Sequence, residues 1–529
     1  MKRGQSCVQV RLFCLAVTAC MCPAMLGGQA PPPPLPDSSG WGVHVLTAAR
    51  DSQGGLWVGT YGQGIFRLPA DAVAWERIRR DSSGSSISWD FVHAIAFGPR
   101  GQVWYGTVGN GWGVSLDSGR TWKNWTFDQL GPEWQYVAPD GIATRGDTTV
   151  IATADGLQIT VDDGGHWTAI GDGAGPPARD PADTALGLLD NEYVRRLAVG
   201  RGGWIVATLR GAQRIRHDGA KWTATPVRDP SFPPRNTIVL SGRTYRGTPC
   251  GLRVAGDRAA CLRGATEPAA PPQAPLTAWL RRPIAREDNR YIDQTYRYGS
   301  TMGGNFQQHQ GVEFNNPDGT TVHAVLPGRV VHAGPAEAGA LTVSVRHDTT
   351  VTARGKTYRL YSTYYHNSAL EVKAGDRVSA GQRLARVGNT GRATNDHLHL
   401  ELAASPSDSI RAILDSTQRF PPYTTNAELW LEPLPGTGIV AGQVFDDSGA
   451  PVPQARIYGL VKPEPAETPF SFAETYGERG HSHPLYGEHF AVGDVPAGSY
   501  VVGTEIAGRR VLRRVTVEPG KLTWIVFRP

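Results

Sequence analysis

Short apolar runs broken by turn residues set the texture of this chain. Leu56-Trp57-Val58-Gly59-Thr60 is followed by a Gly-rich turn and a second run, Gly64-Ile65-Phe66-Arg67-Leu68. The same form returns as Val103-Trp104-Tyr105-Gly106-Thr107, as Val150-Ile151-Ala152-Thr153 and as Ile205-Val206-Ala207-Thr208, with a weaker copy at 244–248. Runs of this length between turn residues predict strands rather than helices. A spacing of about 40–55 residues is the period of four-stranded propeller blades, and about five copies are visible. Further along, Val322-His323-Ala324-Val325, Gly328-Arg329-Val330-Val331 and 341–345 predict another set of strands. From Gly442 a strand–turn–strand unit opens a last set that continues through 511–517 and 522–527. The pattern predicts an all-β, multidomain chain in which a propeller is followed by two further sets of strands.

Composition agrees with that picture. The chain has 529 residues, of which 64 are Gly and 40 Pro, with 15 Trp and 17 Tyr, a mix that excludes coiled coils and helical bundles. Lys and Arg number 53 against 48 Asp and Glu, and the surplus is spread thinly, so a nucleic-acid partner has no electrostatic footprint. Lys2, Arg3 and Arg11 precede an apolar run at 12–21 and small residues up to Ala30, which predicts an export signal over 1–30. The run is shorter than the roughly 20 residues that a membrane span needs, so no transmembrane segment is expected. Val17-Thr18-Ala19-Cys20 also fits a lipoprotein signal with Cys20 lipidated. The expected location is the periplasm or cell envelope, or outside the cell. Beyond the signal only Cys250 and Cys261 remain, and in an exported chain they are expected to pair across a hairpin, two buried free thiols being the alternative.

Punctuation divides the chain. A Pro-rich linker at 31–40 precedes the propeller repeats at 41–264. A Pro- and Ala-rich linker at 265–276 leads into the unit at 277–420, and the sandwich occupies 436–529. Within the repeats, Ser115-Leu116-Asp117-Ser118-Gly119-Arg120-Thr121-Trp122 recurs as Thr160-Val161-Asp162-Asp163-Gly164-Gly165-His166-Trp167, and a third copy ending at Trp222 has His217 in place of the Asp. These segments resemble the Asp-box hairpins of β-propellers, in which the Asp ties the turn. The strands ahead of them look like the propeller repeats of bacterial two-component sensors.

The chemistry is concentrated between the linkers. His309-Gln310-Gly311-Val312-Glu313-Phe314, Tyr364-Tyr365-His366 and His397-Leu398-His399-Leu400-Glu401 lie within about ninety residues. On a strand His397 and His399 share one side, about 6.5–7 Å apart. His309 and Glu313 need a bend to meet one ion, and Gly311 is the residue expected to allow it. Two imidazoles and one carboxylate leave a fourth position open for water, as catalytic zinc requires. A remaining histidine can move the water's proton or steady a tetrahedral intermediate. Glu401 is expected either to orient a ligand or to be solvated. His323, His332 and His347 are expected to be ordinary strand residues, and His481 and His483 to lie in a loop without metal.

Residues from about 290 to 405 are similar to the M23 family of zinc metallopeptidases, of the lysostaphin and LytM type. The boxes stand in the family order: His309 to Phe314, then Pro317-Asp318-Gly319-Thr320-Thr321-Val322-His323-Ala324, then Tyr364-x-His366. Val372-x-x-Gly375-Asp376-x-Val378-x-x-Gly381-Gln382, Val387-Gly388-Asn389-Thr390-Gly391 and His397-x-His399 complete the set. The resemblance implies that His309, Glu313 and His399 hold Zn2+ and that His366 and His397 are catalytic. It implies a compact antiparallel β metallopeptidase domain and a zinc endopeptidase that cuts peptidoglycan peptides through a zinc-activated water, which the N-terminal signal would export. Glu313 departs from the usual Asp of the family, and Asn367 from the usual apolar residue. The alternatives are a non-catalytic protein that binds peptidoglycan or activates another hydrolase, and a metallopeptidase of protein substrates. The propeller is expected to bind a protein partner or the wall. The last hundred residues resemble carboxypeptidase-regulatory-like, prealbumin-type sandwiches, a fold that assigns no function by itself.

Overall fold

The computed structural model describes residues 31–529 apart from 131–134, 173–185, 220, 258–261, 263, 265–266, 269–279, 305, 394, 415–419 and 464–469. The export signal, Cys20 and Cys261 lie outside the described residues. Cys250 is disulfide-bonded. Strands make up nearly all the regular structure, and among the described residues no helix is long and apolar enough to cross a membrane.

Five consecutive sheets form the N-terminal part, antiparallel except for Leu186–Gly187, which pairs in parallel with Thr168–Gly171 in the third. The first runs Val45–Arg50, Leu56–Thr60, Ile65–Leu68 and Glu76–Ile78 in simple order, and the fifth keeps three strands, Thr237–Leu240, Arg243–Thr248 and Gly251–Val254. The recurring Trp-containing runs are second strands of their sheets, and Leu56–Thr60 and Val103–Thr107 are buried throughout. The ring closes where Val45, Val58 and Phe66 of the first sheet pack with Ile238, Leu240 and Leu252 of the fifth. A half-buried carboxylate, Asp140, accepts from Thr47 Oγ1 at 2.7 Å and from the Asn236 amide at 2.8 Å, which ties three blades together.

The Asp-box turns are structural. Asp117 accepts from the amides of Arg120 and Thr121, and Asp162 from the amide of His166. In the third copy the neighbour of His217 does this work, since Asp218 accepts from the Lys221 amide at 2.9 Å. Trp122 packs with Trp57, Ile65 and Tyr105 between the first two blades. Gly119 lies there with φ 89°, and a β-carbon on it would meet the Trp57 ring at 2.8 Å.

The second part is a mixed-length antiparallel sheet. Its main order is Val312–Asn315, His397–Ser405, Lys356–Leu370, Leu341–Ala353, Gly328–Pro335 and Arg377–Val378. Arg383–Val387 links the end of the long strand Lys356–Leu370 to Thr321–His323. The pleat sorts side chains by alternation: Val312, Phe314, Leu398, Leu400 and Tyr364 enter the core, all with no solvent exposure.

That core does not stop at the sheet. It continues into Ile439, Ala441, Ala491, Leu522 and Trp524 of the C-terminal sandwich. The sandwich has a five-stranded and a three-stranded sheet, and Glu267–Pro268, from the segment read as a linker, pairs in parallel with Arg509–Val517. Charged side chains also cross the joint. Arg297 and Lys462 both engage the Glu428 carboxylate, and Arg282 pairs with Asp494.

Among the described residues, one buried acid of the sandwich has no ion pair. Glu488 accepts from the His483 amide at 3.0 Å and meets the Tyr476 hydroxyl at 3.2 Å. Burial pushes its pKa from 4.5 up to about 8. A carboxyl whose folded pKa is raised favours the fold fully at low pH, and that contribution is lost as pH rises from the unfolded value through the folded one. Thermal unfolding is therefore expected to show stability falling between about pH 5 and about pH 8, with a smaller fall in Glu488→Gln.

Candidate active site

The register of three neighbouring strands builds the site. Glu313 stands opposite His399, and His399 stands opposite Tyr365. Because Phe314, Leu398, Leu400 and Tyr364 are committed to the core, the alternate positions Glu313, His397, His399, Glu401 and Tyr365 must face the other way. His309 arrives from the segment just before the Val312–Asn315 strand.

Glu313 Oε1 is the centre of the cluster. It lies 3.2 Å from His309 Nε2, 3.7 Å from His397 Nε2 and 3.8 Å from His399 Nδ1. The ligand atoms of His309, Glu313 and His399 all fall within 4.8 Å of one another, and so do those of His366, His397 and His399. Among the described residues these are the two groups of three that could hold a metal ion, and His399 belongs to both. Only the first contains a carboxylate. All five residues singled out in the sequence thus meet at one place.

Gly311 serves in a way different from the bend expected of it. Its backbone is outside the left-handed region, and a β-carbon there would stand 2.5 Å from His399 Nε2 and 2.7 Å from the Leu400 carbonyl oxygen. The glycine is needed for close approach rather than for its torsion angles. The residue with unusual backbone is His366, with φ 66°, at a register break in the strand Lys356–Leu370. A non-glycine residue held there stores strain, and such residues collect at functional positions.

The two remaining imidazoles are pinned alike. His366 Nδ1 lies 2.8 Å from the Thr390 carbonyl oxygen, and His397 Nδ1 lies 2.8 Å from that of Asn395. A carbonyl only accepts, so each Nδ1 carries a hydrogen, and the ring of His366 lines the groove. The ring centroids are 4.8 Å apart. Burial, with His397 and His399 nearby, holds His366 down at about 3, so this imidazole is neutral.

Burial also presses on the other members, with different results. His309 is lowered, mainly by burial, and Glu313 only partly offsets this. Burial would raise Glu313, yet His397, His309 and His399 around it hold it well below the usual carboxylate range. Burial would lower His399, but Glu313 and Glu401 carry it up to about 9.

Glu401 is a buried partner, not a solvated one. It lies 3.4 Å from His399 Nε2 and accepts from the Tyr365 hydroxyl at 3.5 Å. The imidazole is thereby held with Nδ1 toward Glu313, the arrangement by which a carboxylate orients a ligating histidine. His347 bridges the Pro327 carbonyl and Ser362, and His483 packs on Trp430 at 4.1 Å, so both serve the interior. His323 and His332 hydrogen-bond to backbone carbonyls away from the cluster.

A cavity of about 170 Å³ opens beside the cluster. Sequence reasoning passed over several of its walls. Tyr296 stacks on His309 at 4.2 Å, and Arg392 pairs with Glu337 at 3.3 Å across the mouth. These residues sit outside the histidine boxes, and no local pattern marks them.

Residues 307–409 match peptidase family M23, and residues 39–62 match the two component regulator propeller. Over 94 residues the chain is 39% identical to the peptidoglycan DD-endopeptidase ShyA of Vibrio cholerae, which covers 18% of this chain and 20% of that protein. It is 36% identical over 107 residues to the glycyl-glycine endopeptidase ALE-1 of Staphylococcus capitis, covering 20% and 28%. The murein hydrolase activator NlpD of Salmonella typhimurium is 30% identical over 158 residues, covering 29% and 36%. The matches thus span only about a fifth to a third of the length of these relatives. Among solved structures, the catalytic domain of lysostaphin from Staphylococcus simulans is 31% identical over 22% of this chain and 80% of that one, with a TM-score of 0.18.

Proposed function

We propose that the M23 peptidase domain at 307–409 is a zinc-dependent endopeptidase that hydrolyses peptide bonds in the cross-links or stem peptides of peptidoglycan. The observation that carries this reading is the convergence of His309, Glu313 and His399 on one point, beside two further imidazoles anchored through Nδ1. Two imidazoles and a carboxylate are the donor set of an open catalytic zinc site. The Glu313 carboxylate, faced by imidazole nitrogens at 3.2–3.8 Å, suits a dication.

Zinc supplies a Lewis acid for the scissile carbonyl and lowers the pKa of water. The chain's own residues do the rest. His366 and His397, anchored through Nδ1, present Nε2 to accept the proton of the attacking water and to deliver one to the leaving amine. In its charged form either ring also steadies the developing oxyanion. Glu401 and Tyr365 keep the His399 ring from rotating.

The endopeptidase relatives support a wall peptide as substrate. The activator relative favours a second reading, in which the domain stimulates another hydrolase without cutting. The presence of all five chemical side chains favours the first. In this account the domains lie at 41–264, 277–420 and 436–529, the chain is exported to the periplasm, the envelope or the medium, and the propeller sets the peptidase on the wall or on a protein partner.

The test is digestion of purified peptidoglycan by the zinc-loaded chain, with soluble fragments identified by mass spectrometry. Fragments ending at one defined peptide bond are expected. A chain with stoichiometric zinc that releases none, yet accelerates an added wall hydrolase, would establish the activator instead.

A further inference from the structure

A second cavity, about 500 Å³, lies where the propeller meets the sandwich, away from the histidine cluster. Its size is within the range of small-ligand sites. Its charge is one-sided. Arg77, Arg79, Arg80 and Arg456 line it, and Asp90 is the one carboxylate in its wall. Asp90 is already taken by Arg79, through Nε at 3.0 Å and Nη2 at 2.7 Å, and by the backbone amide of Arg80.

The other guanidiniums are left to neutral partners. Arg77 donates to the Gln63 carbonyl at 3.0 Å, and Arg456 donates to the Gly303 carbonyl at 3.3 Å while lying over the Phe472 ring. Guanidinium groups in this state are ready for carboxylate or another oxyanion.

The floor has a different character. Tyr61 meets Phe91 and Phe472 edge-on at 4.7 and 5.7 Å, and Trp41 stacks on Tyr458 at 4.7 Å. His44 also lines the cavity, and its buried Nδ1 has no hydrogen-bond partner. Aromatic side chains below, cations at the rim and, among the described residues, an unsatisfied ring nitrogen between them suit a ligand with an apolar part and acidic groups. A sugar carrying a short acidic peptide has that chemistry.

The cavity is connected to the catalytic groove by a strip of rings. Phe91 touches Trp89 at 4.5 Å, Trp89 faces Phe306 at 6.1 Å, Phe306 meets Tyr296 at 5.6 Å, and Tyr296 stacks on His309 at 4.2 Å. Phe306 is partly exposed between Trp89 and Tyr296. Trp89 and Phe91 are buried, so the strip joins the two sites through the packed interior.

We propose that the cavity is a second binding site for a carboxylate-bearing glycopeptide of the wall polymer that is cut at the histidine cluster. The proposal rests on the reading of the domain as a wall endopeptidase. It predicts a preference for polymer over short peptides, because tethering converts the second encounter into an intramolecular one.

The experiment uses the full chain carrying His366→Asn, so that ligand is not consumed, and a soluble, uncross-linked disaccharide-tetrapeptide as probe in titration calorimetry. Adding Arg77→Ala and Arg80→Ala, both at exposed positions, is expected to weaken binding roughly tenfold or more. Amidating the peptide carboxylates of the probe is expected to do the same. Undiminished affinity in the double-arginine variant would overturn the proposal, and so would equal binding of the amidated probe. Binding of inorganic phosphate at these arginines with no binding of the glycopeptide would overturn it too, by assigning the cavity to a free anion.

Turnover separates this from the catalytic reading. With His366 intact, the double-arginine variant should cut a short cross-linked peptide at the unaltered rate and lose efficiency on intact sacculi through KM. If no substrate is cut by any variant, the endopeptidase reading fails while the calorimetry still decides the cavity.

Discussion

His366→Asn is expected to lower hydrolysis of a cross-linked wall peptide by about 10²–10⁴-fold, in kcat more than in KM, with the zinc content unchanged. The expectation follows from how the ring is held. Its Nδ1–H is spent on the Thr390 carbonyl, and its ring lines the groove beside His397, so the side chain acts on protons and is not needed to close the carboxylate-containing triad. Asparagine is the informative replacement because the backbone there has φ 66°. Asn adopts that region more readily than Ala, so the backbone is kept and the imidazole alone is removed. Steady-state kinetics with elemental analysis of the same samples reads both halves of the prediction. Loss of zinc along with activity would move His366 into the metal's ligand set.

Glu428→Ala is expected to destabilise the chain by about 3–5 kcal/mol. The carboxylate is fully buried and receives Arg297 Nε at 2.9 Å, the Gly493 amide at 2.7 Å and Lys462 at 3.4 Å. Removing it leaves two cations buried at the joint of peptidase and sandwich without their shared carboxylate, with the Ala491 and Gly493 carbonyls still accepting from them. Because the apolar core is continuous across that joint, the two parts should unfold together at a lower temperature. Glu518→Ala is the control. Its partner Lys521 is exposed, and loss of such a pair changes stability by less than about 1 kcal/mol. Thermal unfolding of the three proteins side by side checks both values.

Much of the candidate site was legible because its chemistry is written in short boxes. His-x-x-x-Glu and His-x-His fall on strands whose alternate residues are large and apolar, so the face each polar side chain takes follows from its neighbours. The blades were legible through their period, and the Asp-box acids through the turns they cap. What lay outside reach depends on contacts between distant segments. Arg297, Glu428 and Lys462 read as ordinary surface charges until the fold brings three remote stretches together. Tyr296 precedes the boxes and gives no sign that it stacks on His309. Glu267 and Pro268 sit in linker-like composition, yet they complete a sheet edge of the sandwich. Gly311 was identified as necessary, but for its torsion angles; the closeness of the His399 ring is a property of strand pairing and not of local sequence.

The account turns on Glu313 standing where a ligand must stand, one methylene longer than the acid usual in the M23 pattern. The measurement that tests this most directly is zinc content, by elemental analysis after exhaustive dialysis, of the full chain and of Glu313→Ala. One zinc per chain in the parent and almost none in the variant is the predicted result, since His309 and His399 alone would be left to hold the ion. Stoichiometric zinc in Glu313→Ala would contradict the account, and would place the metal on the other triad, His366, His397 and His399.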